Sequence, residues 1–127
     1  MRDFSHVRDA LALNTATLGH NLDGHGAGWA IERVIDACAV RGFGGMVFWR
    51  REIGDAVAAG NLVRAAGMRV DGLCRAPFLV GPLAPVAVMD ALRAAIDMAA
   101  GLGAPVLTIV VGGVEPGTKG EIGRAHV

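Results

Sequence analysis

The chain has 127 residues, is 53% hydrophobic, and is formally neutral, with 12 basic and 12 acidic side chains. That length suits one small domain or part of a larger one, and the composition supports a packed core rather than disorder. Neutrality without a basic stripe argues against a nucleic-acid surface, because phosphate contacts dominate that kind of binding.

The longest apolar run, residues 104–111, is far too short to span a bilayer. Near the start, Leu11, Ala12 and Leu13 give way at once to Asn14 and Thr15, which is no signal-peptide core. Cys38 and Cys74 are the two cysteines, one on a helical pattern and one in an apolar run. They read as reduced thiols, which places the expected protein in the cytoplasm without a membrane partner.

In chain order, residues 11–18 form a first strand, apolar at its start and polar towards its end. A loop rich in glycine and histidine follows. From Trp29 to Arg41 the apolar residues Ala30, Ile31, Val34, Ile35 and Cys38 recur at helical spacing, with Glu32, Arg33 and Asp36 opposite. The second strand runs from Gly42 to Arg50. A second helix is expected within residues 53–66, with Ile53, Val57, Leu62 and Ala66 as its inner stripe. Gly54 and Gly60 should weaken it by roughly 1 kcal/mol each relative to alanine. The third strand, Val70 to Arg75, leads into a turn-rich loop containing Pro77 and Pro82. Pro85 suits a first helical turn. Val88, Met89, Leu92, Ala95, Ile96 and Ala99 then make a long inner stripe, and residues 105–111 form a fourth, buried strand.

The plan repeats. Arg50 lies eight residues after Gly42, and Arg75 lies eight after Gly67. Glycine suits a helix C-cap because it enters the left-handed conformation without a side-chain clash. The unit is therefore helix, glycine cap and strand, with a polar or special residue at the strand's far end. Strands alternating with helices imply an α/β protein with parallel strands covered by helices, and each connection is long enough for a right-handed crossover.

Residues 122–127 read back as ATC GGA AGA GCA CAC GTC, the common sequencing adapter, whose next codon is a stop. They are expected to be a non-native tail, with residues 1–121 as the domain, cut shortly after the fourth strand.

With Asn14 and Thr15 in strand one, Phe48-Trp49-Arg50 in strand two, Gly72-Leu73-Cys74-Arg75 in strand three and Val110-Val111-Gly112-Gly113 in strand four, the chain resembles the xylose-isomerase-like TIM barrels. Within them it is most similar to sugar phosphate isomerases/epimerases. The resemblance covers roughly residues 11–119 and implies a partial (β/α)₈ barrel of about four strands and three helices. It implies an isomerase or epimerase of a small polyhydroxylated substrate, working by metal-assisted proton transfer at the carboxyl ends of the strands. The family's divalent cation is held by Glu, Asp and His residues of the second half, so none of the metal ligands is expected here. This portion would supply substrate wall, from Asn14, Trp49, Arg50, Cys74 and Arg75, and would be inactive alone. Other activities of the superfamily are a metal-dependent endonuclease and an inosose dehydratase. A reading of another class is a non-catalytic half-barrel that assembles with a partner chain or a second copy, since four strands leave two open edges.

Each candidate also has a plainer explanation. Arg50 and Arg75 can hydrogen-bond a phosphate, carboxylate or polyol, or can pair with an acidic neighbour at the rim. Arg51 should face away from Arg50, because strand side chains alternate. Trp49 can wall a sugar face or simply pack, and Cys74 has no base partner in view and reads as a small buried residue. Asn14 and Thr15 can bind hydroxyls or satisfy backbone groups where a strand ends. His20, Asp23 and His25 have metal-compatible chemistry, but a glycine-rich loop is a poor preorganised ligand set. Gly24, Gly26 and Gly28 miss the dinucleotide fingerprint, because Trp29 stands where its third glycine belongs. Gly112 and Gly113 with Thr118 and Lys119 can cradle an anion, or can simply form a barrel loop.

Overall fold

A computed structural model describes residues 3, 5–18 and 28–112. The loop carrying His20, Asp23 and His25 lies outside these residues, as do Gly113, Thr118, Lys119 and the adapter-like tail. The elements are β1 (Ala12–Asn14), α1 (Ile31–Val40), β2 (Gly45–Trp49), α2 (Ala56–Ala65), β3 (Arg69–Cys74), α3 (Pro85–Leu102) and β4 (Leu107–Thr108). They form one four-stranded sheet in the order β1-β2-β3-β4, with every neighbouring pair parallel. Sequential order with helical crossovers is the geometry of a (β/α)₈ barrel wall.

The glycine repeat is realised three times as the same hydrogen-bonded cap. Gly42, Gly67 and Gly103 take φ values of 80°, 78° and 76°. After α1, Phe43 N–H reaches Cys38 O and Gly42 N–H reaches Ala39 O; after α2, Met68 reaches Val63 and Gly67 reaches Arg64; after α3, Ala104 reaches Ala99 and Gly103 reaches Ala100. This paired pattern satisfies carbonyls that a helix end leaves without partners. Each cap also carries its apolar contact into the core, since Phe43, Met68 and Ala104 all pack there.

Met46 and Phe48 of β2 and Val70 and Leu73 of β3 share that core with Val34, Ile35 and Cys38 of α1, Val63 of α2 and Leu102 of α3. A register shift between Met46 and Val47 against β3 keeps Leu73 opposite Phe48. Both cysteines are free thiols. No helix among the described residues is long and apolar enough to cross a membrane.

Several sequence expectations need correction. The first strand stops at Asn14, where its Oδ1 accepts from Ala16 N–H at 3.1 Å and its carbonyl accepts from the Thr17 hydroxyl at 2.7 Å. These local bonds compete with the ladder, and residues Thr15–Leu18 turn into a 3₁₀ helix. The second helix begins at Ala56, where Asp55 caps it by accepting from Ala58 N–H at 2.9 Å. Ile53 and Ala66 of the expected stripe do pack on the core, but the helix's buried residues are Ala59, Gly60 and Val63, and Val57 and Leu62 are exposed. The reason is close helix packing: a Cβ on Gly60 would strike the Leu102 carbonyl oxygen, and one on Gly101 would meet Ala56 Cβ at 3.3 Å. The two helices pack closely at these glycines, with Val63 buried and Val57 beside Gly101 yet 56% exposed. On α3 the buried residues are Val88, Ala95, Ala99 and Leu102, with Met89 and Ile96 exposed.

The fourth strand is shorter than expected and is not buried: Val106, Ile109 and Val111 are 51–66% exposed. It is the sheet's edge. Its backbone still continues alongside the β3 exit, with Thr108 O accepting from Ala76 N–H and Val111 O accepting from Val80 N–H, both at 2.8 Å.

Candidate functional site

Parallel strands end together, so their terminal residues gather at one edge of the sheet. Trp49, the last residue of β2, is in register with Cys74, which is in register with Thr108 of β4. Phe48 faces the helix-covered core, so alternation turns Trp49 to the other face of the sheet. Trp49 is 6% exposed, and its N–H donates to the hydroxyl of Thr15 at 2.8 Å. Thr15 is itself 2% exposed. Its hydroxyl replaces the ladder bond lost when β1 ends, and so fixes where β2 finishes.

The strand stops at Trp49, and Arg50–Glu52 form a 3₁₀ turn closed by Ile53 N–H to Arg50 O at 3.3 Å. Alternation therefore no longer applies beyond Trp49. The Arg50 Nε–H donates to the carbonyl oxygen of Arg75 at 2.9 Å, joining the exits of β2 and β3. Arg51 does not face away, as strand geometry had suggested. Its guanidinium returns over the Trp49 ring, 5.4 Å from the centroid. Arg75 lies over the Phe78 ring at 4.2 Å.

These groups line a cleft of about 350 Å³ with Trp49, Phe78, Pro77, Pro82 and Leu83. Arg51 also borders a second hollow of about 230 Å³, shared with Thr15, Trp29 and Glu52. The side-chain ion pairs among the described residues lie elsewhere, between Arg69 and Asp71 and between Arg93 and Asp90. Burial, then the charges of Arg51 and Arg75, hold the Arg50 guanidinium below the ordinary arginine range. Among the described residues, acidic pairing is thus not what holds Arg50 and Arg75.

Of the residues anticipated from sequence, Trp49, Arg50 and Arg75 come together in this cleft. Asn14 and Cys74 do not line it: the Asn14 side chain supports its own turn, and half-buried Cys74 stands beside Trp49 in the sheet. Arg51 and Phe78 were missed as lining residues. A signal for Phe78 existed, since it follows Pro77 three positions after Arg75, but nothing local showed that the loop folds back over the arginine.

No His, Cys, Asp or Glu group of three or more comes together as a metal-ligand set among the described residues. Among the described residues, this cleft presents guanidinium groups rather than the carboxylates or imidazoles that hold a divalent cation.

No protein-family model and no curated protein matches the chain. A solved structure described as a xylose isomerase-like TIM barrel/4-hydroxyphenylpyruvate dioxygenase fusion protein does, with a TM-score of 0.57 at 15% identity. The match covers 77% of this chain and 15% of that one, so the chain spans a small part of its structural neighbour. Sequential parallel strands, helical crossovers and this likeness together give the chain the fold of part of a xylose isomerase-like TIM barrel.

Proposed function

We propose that the chain forms the substrate-holding part of an isomerase or epimerase that acts on a small polyhydroxylated molecule. The observation that carries this reading is the meeting of Trp49, Arg50 and Arg75 at the carboxyl edge of the strands, where barrels of this fold place their chemistry. In this reading, Trp49 offers an apolar surface to the carbon skeleton. The guanidinium groups hold oxygen atoms by planar, charge-assisted hydrogen bonds. Cys74, in register with Trp49, and Asn14, where β1 ends opposite Val47, belong to the neighbouring wall.

A divalent cation, when bound, would supply Lewis-acid stabilisation of negative charge on the substrate's oxygens in such a reaction. We assign that cation to segments outside the described residues, because the donors at this edge do not suit it. The described residues bind and orient; the proton-transfer groups are assigned elsewhere too.

The test begins with the source DNA beyond the codon for Glu121, read from an unamplified template. The extended protein is then assayed by proton NMR in deuterated water with a panel of aldoses, ketoses and their phosphates. Solvent deuterium appearing beside the substrate carbonyl supports the reading. A continued frame with no exchange or isomerisation on any of them defeats it.

A second reading, favoured by the exposed Val106, Ile109 and Val111 along β4, is a half-barrel that assembles with another chain or with a second copy. Analytical ultracentrifugation of the 127-residue chain decides it. A dimer is expected, and a well-behaved monomer that gains no partner at high concentration excludes self-assembly.

A further inference from the structure

We infer that the cleft at the ends of β2 and β3 is an oxyanion site, built to take a phosphate monoester or a carboxylate between Arg50, Arg51 and Arg75. This deepens the proposed function by naming the chemical class of its substrate. It rests on that reading only for the identity of the ligand's remaining part.

The argument starts from an imbalance. Three guanidinium groups line one cleft, and no carboxylate among the described residues lies within ion-pair distance of any of them. Elsewhere in the same sheet the opposite holds: Arg69, at the start of β3, pairs with Asp71 at 3.1 Å. Like charges gathered in a partly dehydrated cleft repel one another; burial first, and then the charges of Arg51 and Arg75, lower the affinity of Arg50 for its proton. An anion relieves it.

The donors are also positioned. Arg50 spends its Nε–H on the Arg75 carbonyl, which orients the plane of the guanidinium and leaves its two terminal nitrogens for a ligand. Arg75 lies over the Phe78 ring, 4.2 Å from its centroid, and Arg51 over the Trp49 ring at 5.4 Å, so each is placed by a ring face rather than by an acidic partner among the described residues. Stacking on a ring face leaves the guanidinium's in-plane N–H groups available, which is the geometry that phosphate and carboxylate oxygens accept. At about 350 Å³ the cleft exceeds what a lone inorganic ion needs and lies in the range of small-molecule pockets. The walls supplied by Trp49, Pro82 and Leu83 are apolar, suited to a short carbon skeleton attached to the anionic group.

The experiment is isothermal titration of the 127-residue chain with glycerol 3-phosphate, inorganic phosphate, acetate and glycerol at constant ionic strength. Glycerol 3-phosphate is expected to bind and glycerol not to. Acetate binding as well as or better than inorganic phosphate identifies a carboxylate site, and the reverse identifies a phosphate site. Arg75→Gln and Arg51→Gln should each weaken binding roughly ten- to a hundredfold, as expected for one lost charge-assisted bond. Arg51 is exposed and its replacement leaves the core untouched, so the test survives if Arg75→Gln fails to fold. Arg93→Gln, remote on α3, serves as the control and should bind as the unaltered chain does. Anions that bind neither detectably nor with any dependence on Arg51 and Arg75 overturn the inference. Binding that follows these arginines in a protein with no isomerase activity leaves the oxyanion site standing and removes only the catalytic reading.

Discussion

The Nε–H of Arg50 donates to the carbonyl oxygen of Arg75 at 2.9 Å, so the side chain that ends one βα unit holds the backbone that ends the next. The residues stand at equal offsets from their glycine caps, and the bond ties those two ends together. Arg50→Lys keeps the charge but removes the planar donor. It should cost about 1.5 kcal/mol in urea unfolding, the lower end for a hydrogen bond to a charged group because the pair is only partly buried. An unchanged unfolding midpoint would mean that the bond does not anchor the β3 exit.

Thr15 makes a bond of a different kind, wholly inside the protein, with its hydroxyl accepting the N–H of Trp49 at 2.8 Å. Thr15→Val preserves shape but leaves a buried donor without a partner, which should destabilise the chain by about 1–3 kcal/mol. Thr15→Ser should recover most of that loss. Chemical denaturation followed by tryptophan fluorescence measures both, and equal stability of the valine and serine variants would exclude the role assigned to the hydroxyl.

Helix propensity and packing make opposite predictions at Gly60. Propensity alone promises a gain of roughly 1 kcal/mol for Gly60→Ala. The added Cβ would instead run into the Leu102 carbonyl oxygen, where backbone cannot easily yield. A net loss of about 1–3 kcal/mol is expected, as in other overpacked sites. Gly54→Ala, which lies before α2 rather than within it and has nothing within 4 Å of the added methyl, is the comparison for an added methyl without a clash. A stabilised Gly60→Ala variant would show that α2 and α3 can separate at little cost.

Cys38 supplies a pH dependence. Burial raises its thiol above the ordinary value of 9.0, a rise only partly offset by the charge of Arg41. The folded state therefore holds this proton more tightly than the unfolded chain does. The resulting stability is fully present below the unfolded value of 9.0 and is lost as pH rises through the higher folded one. Melting temperatures should fall across that alkaline window, and Cys38→Ala should flatten the fall while lowering stability at neutral pH through lost packing. Parallel declines in the two proteins would assign the alkaline sensitivity to other groups.

How the chain is ordered could be read without coordinates. Caps depend on residues within a few positions of one another, so Gly42, Gly67 and Gly103 announced the ends of three helices and the start of three strand segments. The same local spacing placed Arg50 and Arg75 at equivalent strand exits and suggested the barrel. Faces and endpoints were settled by what approaches from elsewhere. Val57 and Leu62 look like an inner stripe until α3 packs against the Gly60 face and buries Ala59, Gly60 and Val63 instead. The run 105–111 looks buried until it becomes the edge of a sheet. Arg51 looks set to face away from Arg50 until the strand ends at Trp49 and the turn brings its guanidinium back over the ring. Periodicity records which side chains prefer burial, whereas their actual partners depend on contacts made far along the chain. The arginine cleft is of that second kind: its residues were visible, but their convergence required the fold.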